Sequence, residues 1–261
     1  MKRYSSVVFI CVVALCISCT GKKGNDTKAL EDTHAIRYSV ISVLPHNDDA
    51  FTEGLVIYDN KILESTGQEN SWIAEVNPGT GNHEKKITLP TQYFGEGITV
   101  FNNKLYQLTW KDKLGFIYDA KTYKKIGEFK FNTEGWGITH DAKDLIMSDG
   151  SSKLYFLDSA KLSVVKTINV TDAGVSVKYI NELEYINGFI YANVWQTEWI
   201  LKINPSDGKV VGRIDLSSLT NEIRGAYPEA DVLNGIAYDD KSKALLVTGK
   251  MWPKSYLIRL H

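Results

Sequence analysis

From Glu53 to Lys250 the chain writes one pattern five times, and a pattern that recurs every forty-odd residues restricts the fold more than any composition does. The first halves of the copies read "EGLVIYDNKILEST" from Glu53, "EGITVFNNKLYQLTW" from Glu96, "WGITHDAKDLIMSDG" from Trp136, "NELEYINGFIYANVW" from Asn181 and "NGIAYDDKSKALLVTGK" from Asn234. Their spacings are 43, 40, 45 and 53 residues. Each of the first four is followed by a second pair of alternating apolar runs, such as "WIAEVNPGTGNHEKKITL" and "WILKINPSDGKVVGRIDL". Asn-Gly, Asn-Pro and Asp-Gly signals fall where hairpin turns are needed. Every unit therefore predicts four short antiparallel strands. After the fifth hairpin only one strand, "SYLIRL", remains, whereas "YSVISVL" at 38–44 precedes the first unit. The expected fold is all-β: a five-bladed propeller with four antiparallel strands per blade, closed by the N-terminal strand. An open sandwich of two sheets is the rival, but it requires no such repeat.

In a hairpin, the start of the first strand and the end of the second lie at the same rim. The five starts are Glu53, Glu96, Trp136, Asn181 and Asn234, and the five ends are Gly67, Trp110, Gly150, Trp195 and Lys250. One mouth of the central channel is thus ringed by two carboxylates, two amides, three indoles and a lysine, while the flanking Gly-Leu/Ile pattern stays constant. A repeat kept only for packing would fill equivalent inner slots with similar residues. These convergent polar groups mark a binding or catalytic site.

Its chemistry is legible as a class. Trp110, Trp136 and Trp195, with Phe51 and Phe94 just ahead of the two glutamates, predict an aromatic funnel for a small uncharged body. Glu96 in such surroundings should have a raised pKa and can shuttle protons near neutrality. Asn181, Lys250 and the indole N–H groups can donate to a carbonyl oxygen that gains charge. No serine sits in a nucleophile elbow. The five histidines, His34, His46, His83, His140 and His261, lack metal-ligand spacing and are expected mostly at the surface or in turns. Asp149 in "MSDGS" reads as a turn former. The segment 217–230, "SSLTNEIRGAYPEA", is an insertion that forms either a helical lid over the mouth or a solvated loop.

The N-terminus carries Lys2 and Arg3, the apolar run "SSVVFICVVALCIS", and Cys19 before "TGKKGNDTK", the layout of a lipoprotein signal. The run is short of the roughly 20 apolar residues a membrane span needs. We expect a signal peptide at 1–18, a lipidated Cys19, a polar tether at 19–35 and a catalytic propeller at 36–261. All three cysteines, Cys11, Cys16 and Cys19, lie in or at the end of this leader. The mature domain then has no disulfide and no cysteine-ligated zinc. Losing Lys2 and Arg3 makes the formal charge of −1 more negative, so no basic field for nucleic acid remains.

The motifs "AFTEGL", "FGEGIT", "LYQLTWK", "GWGIT", "MSDGS", "INELEY", "VW", "DVLNGIAYD" and "TGKMWP" occur in the order found in the plant and bacterial type of glutaminyl-peptide cyclotransferase, which the chain resembles across residues 36–261. That resemblance implies a five-bladed propeller, a metal-independent acyltransferase that converts N-terminal glutamine of peptides or proteins to pyroglutamate with release of ammonia, and no cofactor. It implies Glu96 as the acid/base, Asn181 and Lys250 in the catalytic site, Trp110, Trp136 and Trp195 as substrate-site residues, and Phe51 and Phe94 as their aromatic wall. One departure matters: the family usually has glutamine where this chain has Glu53. The expected protein is a monomer, lipid-anchored in a bacterial cell envelope on its periplasmic or extracellular face. Two rivals from other classes are a propeller glycosidase using Glu53 and Glu96 as paired carboxylates and a non-catalytic binding lipoprotein.

Overall fold

The computed structural model describes residues 34–261. The expected leader, Cys19 and nearly all of the tether lie outside the described residues. Blade one comprises β2 (Thr52–Tyr58), β3 (Lys61–Thr66), β4 (Trp72–Val76) and β5 (His83–Thr88). Blade two comprises β6 (Gly95–Phe101), β7 (Lys104–Thr109), β8 (Leu114–Asp119) and β9 (Lys125–Lys130). Blade three comprises β10 (Ile138–His140), β11 (Asp144–Ser148), β12 (Lys153–Asp158) and β13 (Val164–Asn169). A small hairpin, β14 (Thr171–Asp172) and β15 (Val175–Ser176), leads to blade four: β16 (Ile180–Ile186), β17 (Phe189–Val194), β18 (Trp199–Ile203) and β19 (Val210–Asp215). The helix α1 (Ser217–Ala226) precedes β20 (Leu233–Asp239), β21 (Ala244–Gly249) and β22 (Lys254–Leu260) of blade five. Its fourth strand is β1 (Tyr38–Pro45), antiparallel to β22 from Tyr38↔Leu260 to Pro45↔Lys254. The closure expected from "YSVISVL" is the one observed.

Local chemistry explains the regularity. The inner hairpins of blades one, two and four turn at Asp59-Asn60, Asn102-Asn103 and Asn187-Gly188, each with positive φ at both positions. That pattern matches the right-handed twist of the flanking strands and suits Asn, Asp and Gly. The outer hairpins of the first four blades turn at Asn77, Asp119, Asp158 and Asn204, whose side-chain oxygens accept backbone N–H groups two residues on.

The innermost strands β2, β6, β10, β16 and β20 contact one another in that circular order. Apolar packing sits in the seams between blades, not on the axis. Leu63 and Ile73 of blade one meet Ile98, Leu105 and Phe116 of blade two. Ile146 and Phe156 of blade three meet Ile180, Leu183 and Ile190 of blade four. Each such aliphatic side chain, fully withdrawn from water, contributes about 1.5–3 kcal/mol. Blades four and five share the largest cluster, from Ile200 and Ile214 to Leu245 and Ile258, and α1 inserts Leu219 and Ile223 into it. The segment expected as lid or loop is therefore a helix docked on that seam, with Arg224 bonded to Glu198 and Glu222 to Lys254.

The seam between blades five and one is different. Its apolar cluster contains only Leu55, Ala237 and Leu246 as buried members. A buried polar group supplements it: His46, in the link from β1 to β2, donates from Nδ1 to the Trp252 carbonyl and pairs through Nε2 with Glu64 at 3.0 Å. Thr52 Oγ1 donates to the same carboxylate at 2.6 Å. His46, expected with the other histidines among surface and turn residues, is instead buried. Its pKa is raised because the Glu64 carboxylate and the Trp252 carbonyl outweigh burial; Glu64 is lowered by the same partnership.

Candidate active site

The side chains at the channel mouth are aimed by a defect in the strands. Register slips between Thr52 and Gly54 in β2, Gly95 and Ile98 in β6, Ile180 and Leu183 in β16, and Leu233 and Ile236 in β20. The residues inside these bulges include Glu53, Glu96, Asn181 and Asn234. A bulge twists the strand and re-aims the side chain it carries, so four of the five first-strand starts leave the ladder at the same level. In blade three β10 begins only after Trp136 and Gly137.

A ring of bonds between neighbouring blades holds this level. Ser65 Oγ donates to the Glu96 carbonyl at 2.6 Å, Gly97 N to the Trp136 carbonyl at 2.8 Å, and Ser148 Oγ to the Asn181 carbonyl at 2.7 Å. Gly235 N donates to Asn193 Oδ1 and Asn234 Nδ2 to the Thr52 carbonyl, both at 2.9 Å. All five seams are thus crossed by a bond. The approach is close enough that a Cβ on Gly97 would lie 2.6 Å from the Trp136 carbonyl oxygen, and one on Gly137 2.1 Å from that of Asn181. Only glycine fits either place.

The site has a polar floor and an aromatic wall. Glu53, Glu96, Asn181, Asn234 and Lys250 are all buried, whereas Phe51, Phe94, Trp110, Trp136 and Trp195 are half-buried. Among the described residues the Glu96 carboxyl makes no ion pair, and no side-chain hydrogen bond competes for it. Burial drives its pKa well above the ordinary range, the Glu53 carboxylate pushes the same way, and Lys250 opposes them. Lys250 Nζ donates to Glu53 Oε1 at 2.6 Å, and Asn234 Nδ2 lies 3.3 Å from Glu53 Oε2. Burial raises Glu53 even against this ammonium. Lys250, read from sequence as an oxyanion donor, is thus shared with Glu53, which leaves further N–H donors of its ammonium for another partner. The buried Asn181 Oδ1 has no hydrogen-bond partner.

The wall is a continuous belt. Lys250 Nζ stands 4.5 Å from the Phe51 ring centroid, Phe51 is 6.3 Å from Phe94, and Phe94 is 5.4 Å from Trp110. On the other side Trp136 meets Trp195 edge to face at 5.9 Å, and Trp195 meets Tyr179 at the same distance. Glu134 joins the two halves: its Oε2 accepts the indole N–H of Trp110 at 2.8 Å and of Trp136 at 3.1 Å. These two indoles, expected to face an oxyanion, are committed to Glu134. Two slots that sequence analysis read as bare glycine are seats for rings, with a Cβ on Gly67 falling 2.2 Å from Phe94 and one on Gly150 2.5 Å from Trp136. Asp149 behaves as expected, accepting from Ser151 N and Tyr155 OH.

Three residues escaped the sequence analysis. Glu134 and Tyr179 stand two residues ahead of Trp136 and Asn181, the slot that Phe51 and Phe94 fill in blades one and two, so the repeat itself carried that signal. Tyr179 has φ of +64°, which turns it out to the rim, where it is exposed. Glu182 stands where blades one, two, three and five have Gly54, Gly97, Gly137 and Gly235. Fully buried, it reaches from blade four to accept Leu55 N at 3.3 Å and Ile236 N at 2.9 Å.

With this geometry in place, comparison with known proteins is specific. A family model described as glutamine cyclotransferase matches residues 10–260. The chain is 41% identical over 237 residues to a glutaminyl-peptide cyclotransferase of Arabidopsis thaliana, covering 89% of this chain and 74% of the relative. Among solved structures, a glutaminyl cyclase of Myxococcus xanthus matches with a TM-score of 0.82 at 35% identity, covering 88% of this chain and 98% of that one.

Proposed function

Because this chain belongs to the glutamine cyclotransferase family, we propose that it cyclises N-terminal glutamine of peptides or proteins to pyroglutamate, with Glu96 as the group that carries the proton. The observation that carries the assignment is the Glu96 carboxyl itself: buried, without an ion pair or side-chain hydrogen bond among the described residues, and held well above the ordinary carboxylate range by that burial. In the reaction the α-amine attacks the Cδ of its own side-chain carboxamide, and the bond from Cδ to the carboxamide nitrogen then breaks. The amine must lose a proton and the departing nitrogen must gain one, so a single residue that takes and returns a proton balances the reaction. A pKa near the working pH suits both halves of that task.

The remaining residues supply orientation and charge. The aromatic belt confines the flexible glutamine side chain to a conformer in which amine and carboxamide carbon meet, and ring closure gains from that loss of freedom. The Lys250 ammonium faces the carboxamide oxygen as negative charge develops there. Asn181 Oδ1, the unpartnered acceptor, receives an N–H of the substrate. The glycosidase alternative needs Glu53 as a second free carboxyl, and that group is engaged by Lys250 and Asn234. Incubation with a Gln-initiated dipeptide amide should release ammonia with the matching loss from the peptide's mass, and aryl glycosides should stay intact. A Gln-initiated peptide that survives across a range of pH refutes the assignment. The leader argues further for attachment to the cell envelope through lipidated Cys19; labelled palmitate that enters the parent but not Cys19→Ala tests it.

A further inference from the structure

We propose that Glu134 is the positioning residue that fixes the two tryptophan walls of the glutamine pocket, an inference that rests on the cyclotransferase reading. The slot two residues ahead of each bulge holds Phe51, Phe94, Tyr179 and Val232 in the other blades, so a carboxylate in blade three is a departure from an otherwise apolar repeat position. Its Oε2 binds the Nε1 hydrogens of Trp110, from the end of the inner hairpin of blade two, and of Trp136, from its own blade. An indole has one N–H and no acceptor, so each ring has committed its whole hydrogen-bonding capacity to this one oxygen. Bonds to an ionised acceptor are the stronger kind.

Each ring is also held by a face. Trp110 packs against the tilted ring of Phe94, 5.4 Å away, and carries the Lys111 ammonium 3.7 Å from its centroid. Trp136 lies over Gly150 and against Trp195. Non-directional packing contacts of this sort fix a ring less tightly than a hydrogen bond does, and the N–H bond to Glu134 pins its orientation. Among the described residues, Glu134 is the only side chain that bonds to both halves of the belt, Phe51–Phe94–Trp110 and Trp136–Trp195–Tyr179. It positions the indoles, and its charge adds a smaller contribution to the repulsion that raises Glu96.

The test compares Glu134→Ala and Glu134→Gln in the parent and in a Trp110→Phe/Trp136→Phe background, with a Gln-initiated peptide as substrate and tryptophan fluorescence as a second readout. Glutamine keeps an oxygen that can accept both N–H groups, while alanine keeps none. We expect Glu134→Ala to lower kcat/KM on the order of tenfold or more and to shift the emission. Glu134→Gln should restore both to within about threefold of the parent, since hydrogen bonds to a neutral oxygen are weaker but share the geometry. In the background without the two indoles, Glu134→Ala should have little further effect on the pH-independent plateau of kcat/KM, where the titration of Glu96 does not enter, which is the mark of a residue that works through them. Parental cyclisation is the internal control: its absence refutes the function. Parental turnover together with a Glu134→Ala variant of unchanged kinetics, a glutamine variant as poor as alanine, or full additivity in the double-Phe background overturns the positioning role.

Discussion

Replacing Glu53 by Gln removes one charge from a buried pair and returns the glutamine that this family usually has at the slot. The Glu53 carboxylate and Lys250 ammonium are 2.6 Å apart, which at an effective dielectric of about 20 is a gross attraction of about 6 kcal/mol. Burial of the carboxylate costs more than this attraction returns: Glu53 is pushed up to about 7 from its usual 4.5, so its ionised form is disfavoured in the fold. That cost grows as pH rises from about 4.5 to 7, and the neutral amide, which can still accept from Lys250, removes it. The melting temperature at neutral pH should therefore stay at or above the parent's. The kinetic effect has its own sign. Glu96 is raised by burial and by Glu53 and lowered by Lys250. Taking away the carboxylate removes repulsion and leaves the ammonium unopposed, and both changes favour ionised Glu96. A base must be ionised to accept the proton of the amine, so the acid limb of kcat/KM should move to lower pH by on the order of one unit. Turnover on the acid side should rise about tenfold while the protein melts no earlier at neutral pH, with a pH profile and a thermal melt as the assays. Superimposable acid limbs would refute the coupling of the two carboxylates, and a Tm lowered by several degrees at neutral pH would refute the net cost of the buried carboxylate.

Glu182→Ala leaves the buried Leu55 and Ile236 N–H groups without acceptors, at about 1–3 kcal/mol each; a thermal melt should fall by roughly 5–20 °C, and a change within about 2 °C would show that the axial carboxyl braces nothing. Deleting residues 34–45 removes β1, exposes the edge of β22 and opens the ring, so the truncated protein should unfold or aggregate; melting like the parent would contradict closure by that strand. The pair of His46 and Glu64 has a pH window. His46 is raised from 6.5, so its contribution is complete below that value and fades as pH climbs through the folded pKa; Glu64 is lowered from 4.5, so its contribution is complete above that value and fades in acid. The difference in Tm between the parent and His46→Gln should therefore be greatest between about pH 4.5 and 6.5 and shrink on the alkaline side, and a flat difference would place the stabilisation elsewhere.

The parts of this molecule that were legible in its sequence are those written locally. Asp59-Asn60, Asn102-Asn103 and Asn187-Gly188 announce their turns, the alternation around them announces strands, and the repeat supplies the ring. The floor and wall were legible because Glu53, Glu96, Asn181 and Asn234 recur in one slot. What stayed hidden was set by groups that meet only after the ring closes. Lys250 and Glu53 are 197 residues apart in the chain, and Glu134 gathers indoles from two blades. Glu182 crosses the axis to β2 and β20. The bulges also escaped: a strand with one residue too many has the same apolar alternation on either side, and only the following glycine hints at it. The helix at 217–226 was ambiguous because Ser, Thr, Asn and Gly serve loops as well, and its apolar stripe of Leu219 and Ile223 acquires meaning only against Ile214 and Trp252.

The account stands on Glu96 as the carrier of the proton, and Glu96→Gln examines that group alone, because the amide keeps the shape and loses the titration. Parent and variant would be given the same Gln-initiated peptide, with binding followed by calorimetry and turnover by ammonia release. We predict that the variant binds the peptide with affinity near the parent's and turns it over slower by on the order of 10²–10⁴. A variant that binds the peptide and releases ammonia at close to the parental rate would contradict the account.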